Sequence, residues 1–237
     1  MSRLIAYKMT HDTGFAPNPF GSQLTLATCK PAIRRTKLRG DWVAGFASQD
    51  LVHTSRRAGV SIPVSGLLYL MRVGEVLRLE DYFHDARYQH KKPLKGANDS
   101  ILRCGDNIYD SDGAGGYRQL PNDSHDDSLS TIRHDTGGVN VLIADIFYYF
   151  GRNCPVPRGG WDSIGITLSK GRTFYCSESD LENIRRFLHD QRYEPGVHGK
   201  PCLWQEPEGC KAARSTCSSQ TSNRGGSHEH SVPTCRY

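Results

Sequence analysis

Residues 139–150 read VNVLIADIFYYF and form the most hydrophobic segment of the chain. Aliphatic and aromatic side chains follow one another there with little polar interruption, which is typical of a strand buried inside a sheet. The segment therefore predicts a central β-strand. That strand is expected to continue past its charged residue, Asp145.

Four other segments have the composition of β-strands. Residues 24–27 alternate apolar and small polar side chains, as a strand with one buried face does. Residues 67–76 form a longer apolar run, in which Gly74 predicts a bulge. The two remaining segments are residues 4–7 and 42–46.

Two helices are expected besides these strands. One is short and covers residues 79–83. The other has an apolar face at helical spacing and a capping box formed by Ser179 and Glu182. Because strands outnumber helices, the sequence predicts an α+β domain, either a small curved β-sheet or a small β-barrel, with a few helices packed against it.

The composition changes near residue 206, beyond which aliphatic residues become rare. Such a stretch cannot bury enough apolar surface to offset the entropy of ordering it. We therefore expect a domain over residues 1–205 and a disordered polar tail over residues 206–237. Metal binding in this region is the weaker alternative, since no two cysteines have C-x-x-C spacing. The side chains concerned are Cys202, Cys210, Cys217, His198, His228 and His230.

The net charge and the motifs in the sequence exclude few classes of protein, and they identify no particular reaction. The formal net charge of +5 is compatible with a phosphate-bearing partner without requiring one. No apolar run reaches roughly 18 residues, so no membrane partner is expected. The N-terminus has no apolar signal segment, which favours the cytoplasm. No phosphate-loop, dinucleotide-binding, metalloprotease or serine-hydrolase motif is present, so no cofactor or cosubstrate is indicated.

A rigid turn and a basic cluster near the N-terminus are candidates for nucleotide binding. Two prolines restrict the backbone of residues 16–20. Within this turn the Asn18 amide could pair with a base edge, and the Phe20 ring could stack on the base. Three cations then follow within a short stretch, which suits phosphate. The alternatives are a purely structural loop and a solvated basic turn. The cations are Lys30, Arg34 and Arg35.

Asp85 is the best candidate for an acid–base residue. It follows the apolar run 67–79 and lies among cations that would keep its carboxylate ionised and able to accept a proton. A structural ion pair with Arg87 or Lys91 is the alternative. Asp41 is the main competitor, although an aspartate in a Gly-Asp turn more often caps the turn. Two histidines complete the candidate set, namely His84 and His125.

Cys29, beside the cation Lys30, is a possible nucleophile, because a neighbouring positive charge favours the thiolate. No histidine stands at a fixed spacing from it, so the sequence favours an inert thiol. Residues 107–136 are too polar for a core and too long for an ordinary loop, and long loops within a domain are often functional. Further side chains that suit nucleotide binding are Lys91, Asp106, Asn107 and Tyr109.

Several of these segments resemble the nucleotide modification associated domain family, type 2. The resemblance covers roughly residues 3–205 and implies a role in DNA base modification in bacteria and their phages. It also implies a nucleotide or DNA as partner, and other DNA-modification proteins. The segments are GFAPNPF (14–20), LTLATCKPAIRR (24–35), GDWVAG (40–45), FHDARYQHKKP (83–93), GDNIY (105–109) and LIADIFYYFG (142–151).

The order of elements from Gly40 to Asp85 is also similar to that of PUA-like barrels of the ASCH and EVE type. Such barrels bind RNA or modified bases in a pocket beside the sheet. This is a likeness of fold, and it says nothing about which residues of this chain would act.

Three functions remain open: an enzyme that modifies a nucleotide or base, a non-catalytic reader of a modified base, and a protein-interaction module. Convergence of the candidate side chains on one cavity favours the first two, and their scatter favours the third. A carboxylate or histidine deep in that cavity favours the enzyme. The side chains to be compared are Asn18, Lys30, Arg35, Asp41, Asp85 and Asp106.

Truncation after Pro207 is expected to leave the fold intact, because the removed segment has almost no apolar surface to bury. The melting temperatures of the full and shortened chains, measured side by side, are expected to agree within a few degrees. A larger drop would show that the tail docks on the domain.

Overall fold

The computed structural model describes residues 3–169 and 171–205, and within them one mixed β-sheet carries the fold. The strands of the sheet lie in the order β2-β7-β4-β3-β1-β8, and β9 pairs with β7. β1 runs parallel to β3, and β9 to β7, whereas the other neighbours are antiparallel. The strands are β1 (Leu4–Met9), β2 (Thr25–Leu26), β3 (Trp42–Ala47), β4 (Leu67–Arg78), β7 (Asn140–Tyr149), β8 (Thr173–Cys176) and β9 (Gly196–Val197); β5 (Tyr109–Ser111) and β6 (Tyr117–Gln119) form a separate hairpin.

The two longest strands, β4 and β7, pair along most of their length at the centre of the sheet. The prediction of a central strand at residues 139–150 is thereby confirmed. The pairing slips between Arg72 and Val73 and again between Val73 and Glu75, so the predicted bulge at Gly74 is confirmed as well. A Cβ at Gly74 would lie 2.5 Å from Asp145 Cβ, which accounts for the glycine at this close approach.

The sheet is open, because β2 and β8 end the strand order and do not pair with each other. Within the described residues it does not close into a barrel. The predicted α+β class is therefore confirmed. Of the two predicted architectures, the described residues form the open sheet and not the barrel. The compact unit is Met1–Gln205, and the predicted disorder and metal binding of residues 206–237 lie outside the described residues.

Six α-helices are present in the described residues, four of which the sequence did not predict: α1, α2, α4 and α5. Helix α2 has a serine at its N-cap position, which is a helix-start signal in the sequence. In the structure the Ser48 hydroxyl accepts a hydrogen bond from the Leu51 N–H. The predicted capping box was displaced by two residues. Ser177 and Asp180 form it, because the helix starts half a turn earlier. The helices are α1 (Pro31–Thr36), α2 (Gln49–Arg57), α3 (Leu79–His84), α4 (Ser100–Arg103), α5 (Leu129–Thr136) and α6 (Glu178–Asp190).

Apolar side chains from the central strands fill the main core, and α2 and α6 contribute to it. A second buried cluster around Tyr82, Tyr109 and Val141 lies under the β5–β6 hairpin. Among the described helices, none combines the length and apolar character that crossing a bilayer requires.

Gly45→Ala is expected to destabilise the domain by about 1–3 kcal/mol, the usual effect of overpacking a core. A Cβ at position 45 would lie 2.4 Å from Met9 Sδ and 2.5 Å from Tyr69 Cε1, and the Tyr69 ring is fully buried. Urea unfolding checks the effect. Gly171→Ala is the matched control, because its Cβ would make only ordinary contacts at 3.4 Å or more. Equal stability of the two variants would contradict the prediction.

Candidate active site

A groove of about 1290 Å³ opens on one face of the sheet beside β1. Alternate side chains of β1 (Ile5, Tyr7 and Met9) line it, as the two-residue period of a strand requires. Two side chains of the neighbouring edge strand β8 continue this surface. The loop after β1, the Cys29 turn with α1, and α5 with the segment that leads into it line the rest of the groove. The groove therefore joins parts of the chain that are distant in sequence.

Cys29 lies in this groove on a strained turn between β2 and α1. Its φ is 55° and that of Lys30 is 42°, so two consecutive side-chain-bearing residues have left-handed backbones. Each such residue costs on the order of 1–3 kcal/mol and persists only where its surroundings fix it. The strain presents Cys29 and Lys30 to the groove, where both are half-buried.

Arg34 fixes this turn from behind. It is fully buried, and its guanidinium donates to the backbone carbonyls of Cys29 (2.7 Å), Asn140 (2.8 Å) and Asp135. A Cβ at Gly138 would lie 2.5 Å from the guanidinium carbon, so the chain passes Arg34 closely there. Arg34 thus connects the turn of Cys29, the end of α5 and the start of β7.

His125 reaches Cys29 from the loop between β6 and α5. Its Nε2 lies 3.4 Å from the Cys29 sulfur, and its Nδ1 lies 2.9 Å from the Asp135 carboxylate. The loop is held by Asn122, whose side-chain oxygen accepts hydrogen bonds from the backbone N–H groups of Ser124 (2.9 Å) and His125 (2.7 Å). The imidazole therefore lies between a thiol and a carboxylate, and its contact with Asp135 is an ion pair without hydrogen-bond geometry.

Asp135, at the end of α5, completes this row of groups. One carboxylate oxygen accepts from the backbone N–H of Cys29 (2.8 Å), and the other accepts from the Tyr109 hydroxyl (3.0 Å) and contacts His125. The Asp135 side chain is only 1% exposed, so these partners and Arg34 supply the compensation that a buried carboxylate needs.

The surroundings of His125 favour its protonated form. Burial, which includes edge-on packing against Phe15, lowers the pKa of a histidine. The contacts with Asp135 and Cys29 outweigh it and raise the pKa of His125 to about 10. Burial alone would raise the pKa of Asp135, but His125 and Arg34 hold it below its ordinary value. At neutral pH a buried ion pair thus lies next to the thiol.

The other described thiols have different surroundings. Burial raises the pKa of Cys104, Cys154 and Cys176 to about 12, and it raises that of Cys202 further. Cys29 is the described cysteine that pairs with a histidine. Nucleophilic cysteines typically lie beside a histidine that a third group orients. The arrangement has the form of a Cys-His-Asp triad, although the sequence favoured an inert Cys29.

Four of the sequence-predicted nucleotide-binding residues form a separate, fully buried network. The Lys91 ammonium donates to the Asn18 side-chain oxygen (2.9 Å) and to the backbone oxygens of Asn18 and Gln23. The Asp106 carboxylate accepts from Thr25 and Tyr82 (both 2.8 Å), while the Asn107 amide donates to backbone oxygens. Their partners are protein groups, and none of the four lines the groove. The residues are Asn18, Lys91, Asp106 and Asn107.

The predicted acid–base residues other than His125 lie outside the groove. Asp85 forms an ion pair with Arg87 (2.7 Å), as its structural alternative had it. His84 lies 3.4 Å from Asp110. Asp41 accepts from the backbone N–H of Leu38 and pairs with Lys37 (3.7 Å) and Arg3 (3.5 Å).

Of the remaining predicted residues, one lines the groove and three do not. Lys30 lines the groove, whereas Tyr109 lies behind Asp135. Phe20 stacks on Trp204, and Arg35 donates to the Gly137 carbonyl. Of the six side chains Asn18, Lys30, Arg35, Asp41, Asp85 and Asp106, only Lys30 reaches this groove, so the set does not converge and by itself favours an interaction module. The case for an enzyme depends instead on Cys29, His125 and Asp135.

No group of three or more potential metal ligands occurs in the described residues. His198 and Cys202 are among these residues, whereas the other cysteines and histidines considered for metal binding are not. The His198 Nε2–H instead donates to the Glu194 carbonyl (2.8 Å), and Cys202 is buried.

The family model of nucleotide modification associated domain 2 matches residues 1–208. The chain belongs to this family. The match includes every residue of the Cys29 groove and leaves most of the predicted tail outside. No curated protein and no solved structure gives a significant match.

Asp135 is the member of this row of groups that the sequence did not single out. It was one of seven aspartates between residues 106 and 135, and α5 was not predicted. The sequence feature that could have pointed to Asp135 is its position in the last turn of α5, the helix that begins after the N-cap Ser128. Cys29 and His125 were both considered, but 96 residues separate them, and sequence spacing gave no reason to pair them.

The stabilising effect of His125 is expected to depend on pH. Because its pKa is raised from 6.5 to about 10 in the folded chain, its contribution is fully present below pH 6.5 and is lost as pH rises to about 10. The free energy of unfolding, measured with urea for the natural chain and His125→Gln, is expected to differ most near pH 6. A difference that stays constant up to pH 10 would contradict the raised pKa.

Proposed function

We propose that this chain is a thiol-dependent acyl-transfer enzyme that acts on a nucleotide. The observation that carries the proposal is the row Cys29 Sγ, His125 Nε2, His125 Nδ1 and Asp135 carboxylate, with separations of 3.4 Å and 2.9 Å. Cys29 is the nucleophile, His125 transfers protons, and Asp135 orients the imidazole. The base role thus goes to His125 and not to Asp85.

In the first half of the reaction the Cys29 thiol loses its proton to solvent, and the resulting thiolate attacks the carbonyl carbon of the acyl group. A sulfur–carbon bond forms, and the bond from carbon to the leaving oxygen or nitrogen breaks. An amine or alcohol leaving group takes its proton from the His125 imidazolium. The product is a thioester on Cys29 and a neutral His125.

In the second half, His125 accepts a proton from an incoming water or amine, which attacks the thioester carbon. The carbon–sulfur bond breaks, and the thiolate returns beside a protonated His125. Each step therefore leaves the charges of the site balanced, and no oxidant or reductant is needed. The strained backbone of Cys29 supports this role, because non-glycine residues in such conformations cluster at functional sites.

Family membership and the form of the groove support the nucleotide as substrate. The family is defined by its association with nucleotide modification. The groove holds the cation Lys30, the aromatic residues Tyr7 and Tyr175, and several hydroxyl groups, a mixture that suits a base and a phosphate. The nucleotide could be free or part of DNA. The histidine–carboxylate pair favours an enzyme over a reader.

Cys29→Ala is expected to abolish the acyl-thioester intermediate, and His125→Asn is expected to slow its formation at least about a hundredfold. Acetylation by p-nitrophenyl acetate provides the measurement, with the burst of nitrophenol followed by absorbance and the acetylated residue located by mass spectrometry. The natural chain is expected to give a stoichiometric burst on Cys29.

Asp85→Asn is the matched control, since it removes a carboxylate that the structure pairs with Arg87 outside the groove. It is expected to keep the burst rate of the natural chain. Loss of the burst in Asp85→Asn together with its retention in His125→Asn would overturn the proposed roles. A Cys29 that is not acetylated at all would overturn the acyl-transfer function.

A further inference from the structure

The groove extends beyond the triad along β1 to the edge strand β8. Antiparallel pairing places Thr173 opposite Tyr7 and Tyr175 opposite Ile5. All four side chains line the groove, so they form one surface of two neighbouring cross-strand pairs. Alternate residues of a strand are roughly 7 Å apart, which sets the spacing of these pairs.

Lys30 lies above the near end of this surface. Its ammonium is 4.5 Å from the centroid of the Tyr7 ring. Within residues 3–169 and 171–205 the Lys30 ammonium has neither a carboxylate partner nor a hydrogen-bond acceptor. Burial lowers the pKa of Lys30, and the nearby charge of Arg172 lowers it further. The interaction with Cys29 opposes them, and the net effect is a lowered pKa. A half-buried cation without an anion is favourably placed to bind one.

Tyr175 lies at the far end and is unusually open. It is 74% exposed, the largest exposure among the large apolar side chains that the structure describes. The Lys37 ammonium lies 5.5 Å from its ring centroid, while Lys37 itself is buried and paired with Asp41. The cation contacts one face of the ring, and most of the ring surface stays exposed. An exposed ring is a platform on which a nucleobase can stack.

The geometry points to a nucleotide subsite in which the base stacks on Tyr175 and the phosphate binds Lys30, so that the phosphate end of the nucleotide faces Cys29. This inference rests on the proposed function for the chemistry at Cys29, but the binding site itself does not need it. The order along the groove is base, phosphate and thiol. The acyl group is therefore expected at the phosphate end, as in an acyl nucleotide with a mixed anhydride.

Attack on such an anhydride is balanced without an additional acid. The Cys29 sulfur forms a bond to the acyl carbon, and the bond from that carbon to the phosphate oxygen breaks. The nucleoside monophosphate leaves with the electron pair on its phosphate, next to the Lys30 ammonium. His125 then releases its proton to solvent, so that the neutral imidazole can accept a proton from the incoming water or amine in the second half of the reaction.

Calorimetric titration of the full chain carrying Cys29→Ala tests the subsite without any turnover. The probes are the four common nucleoside 5′-monophosphates, each compared with its nucleoside. At least one monophosphate is expected to bind more tightly than its nucleoside. Lys30→Met is expected to remove that difference with a loss of at least about tenfold. Tyr175→Ala is expected to weaken both probes by about tenfold or more, and Tyr175→Phe is expected to restore them.

Leu94→Ala is the control for Tyr175→Ala, because Leu94 is also an exposed apolar side chain (58%) and lies outside the groove lining. It is expected to bind like the Cys29→Ala parent. Unchanged affinity in Lys30→Met or in Tyr175→Ala would overturn the subsite. Equal affinity for nucleoside and monophosphate in the parent would also overturn it.

The orientation is tested in the natural chain with two acetylated nucleotides. Acetyl adenylate, in which acetate is joined to the phosphate, is expected to acetylate Cys29 and release the monophosphate, whereas adenosine monophosphate acetylated on its base amine is not. Reaction of the base-acetylated probe alone would reverse the orientation. If neither acetylates Cys29 while the binding results hold, the subsite stands and the acyl-transfer function fails.

Discussion

The buried guanidinium of Arg34 is the interaction on which the arrangement of the site depends. A fully buried cation must be neutralised and hydrogen-bonded, since its desolvation costs several kcal/mol. Arg34 meets this need with three backbone carbonyls, and Asp135 supplies the compensating charge. Because those carbonyls belong to the Cys29 turn, the end of α5 and the start of β7, one side chain fixes their relative positions. The strained turn of Cys29 is stable only within that frame.

A second buried cation, the Lys91 ammonium, fixes the N-terminal loop in the same way, by hydrogen bonds to its oxygens. Lys91 donates to Asn18 and to the Gln23 carbonyl, and Asp106 lies in the same network through Thr25. The loop before β2 is thereby tied to the segment before β5. The Lys91 network thus fixes the strand that precedes the Cys29 turn, and Arg34 fixes the turn itself. Polar residues that would be costly alone here specify one geometry.

The sequence allowed much of the sheet to be predicted and little of the site. Strands β1, β3, β4 and β7 have long apolar runs, whose pattern is local. Arg34 and Asn18 are polar residues of the kind that bind ligands, but both bind buried backbone groups. Sequence patterns do not distinguish these two uses of a polar side chain. The pairing of Cys29 with His125 depends on tertiary contacts. Short helices such as α1 and α5 bury few residues, so their periodicity was too weak to recognise.

The separation of Cys29 from its partners also has a consequence during synthesis. The ribosome completes Cys29 long before His125 and Asp135, which follow it by 96 and 106 residues. Until α5 has emerged and docked, the nascent chain carries an ordinary thiol without an imidazolium beside it. Long-range contacts of this kind form late in folding. Under the proposed function, the chain therefore acquires its reactivity only with the finished domain, and incomplete chains lack the complete Cys29 site.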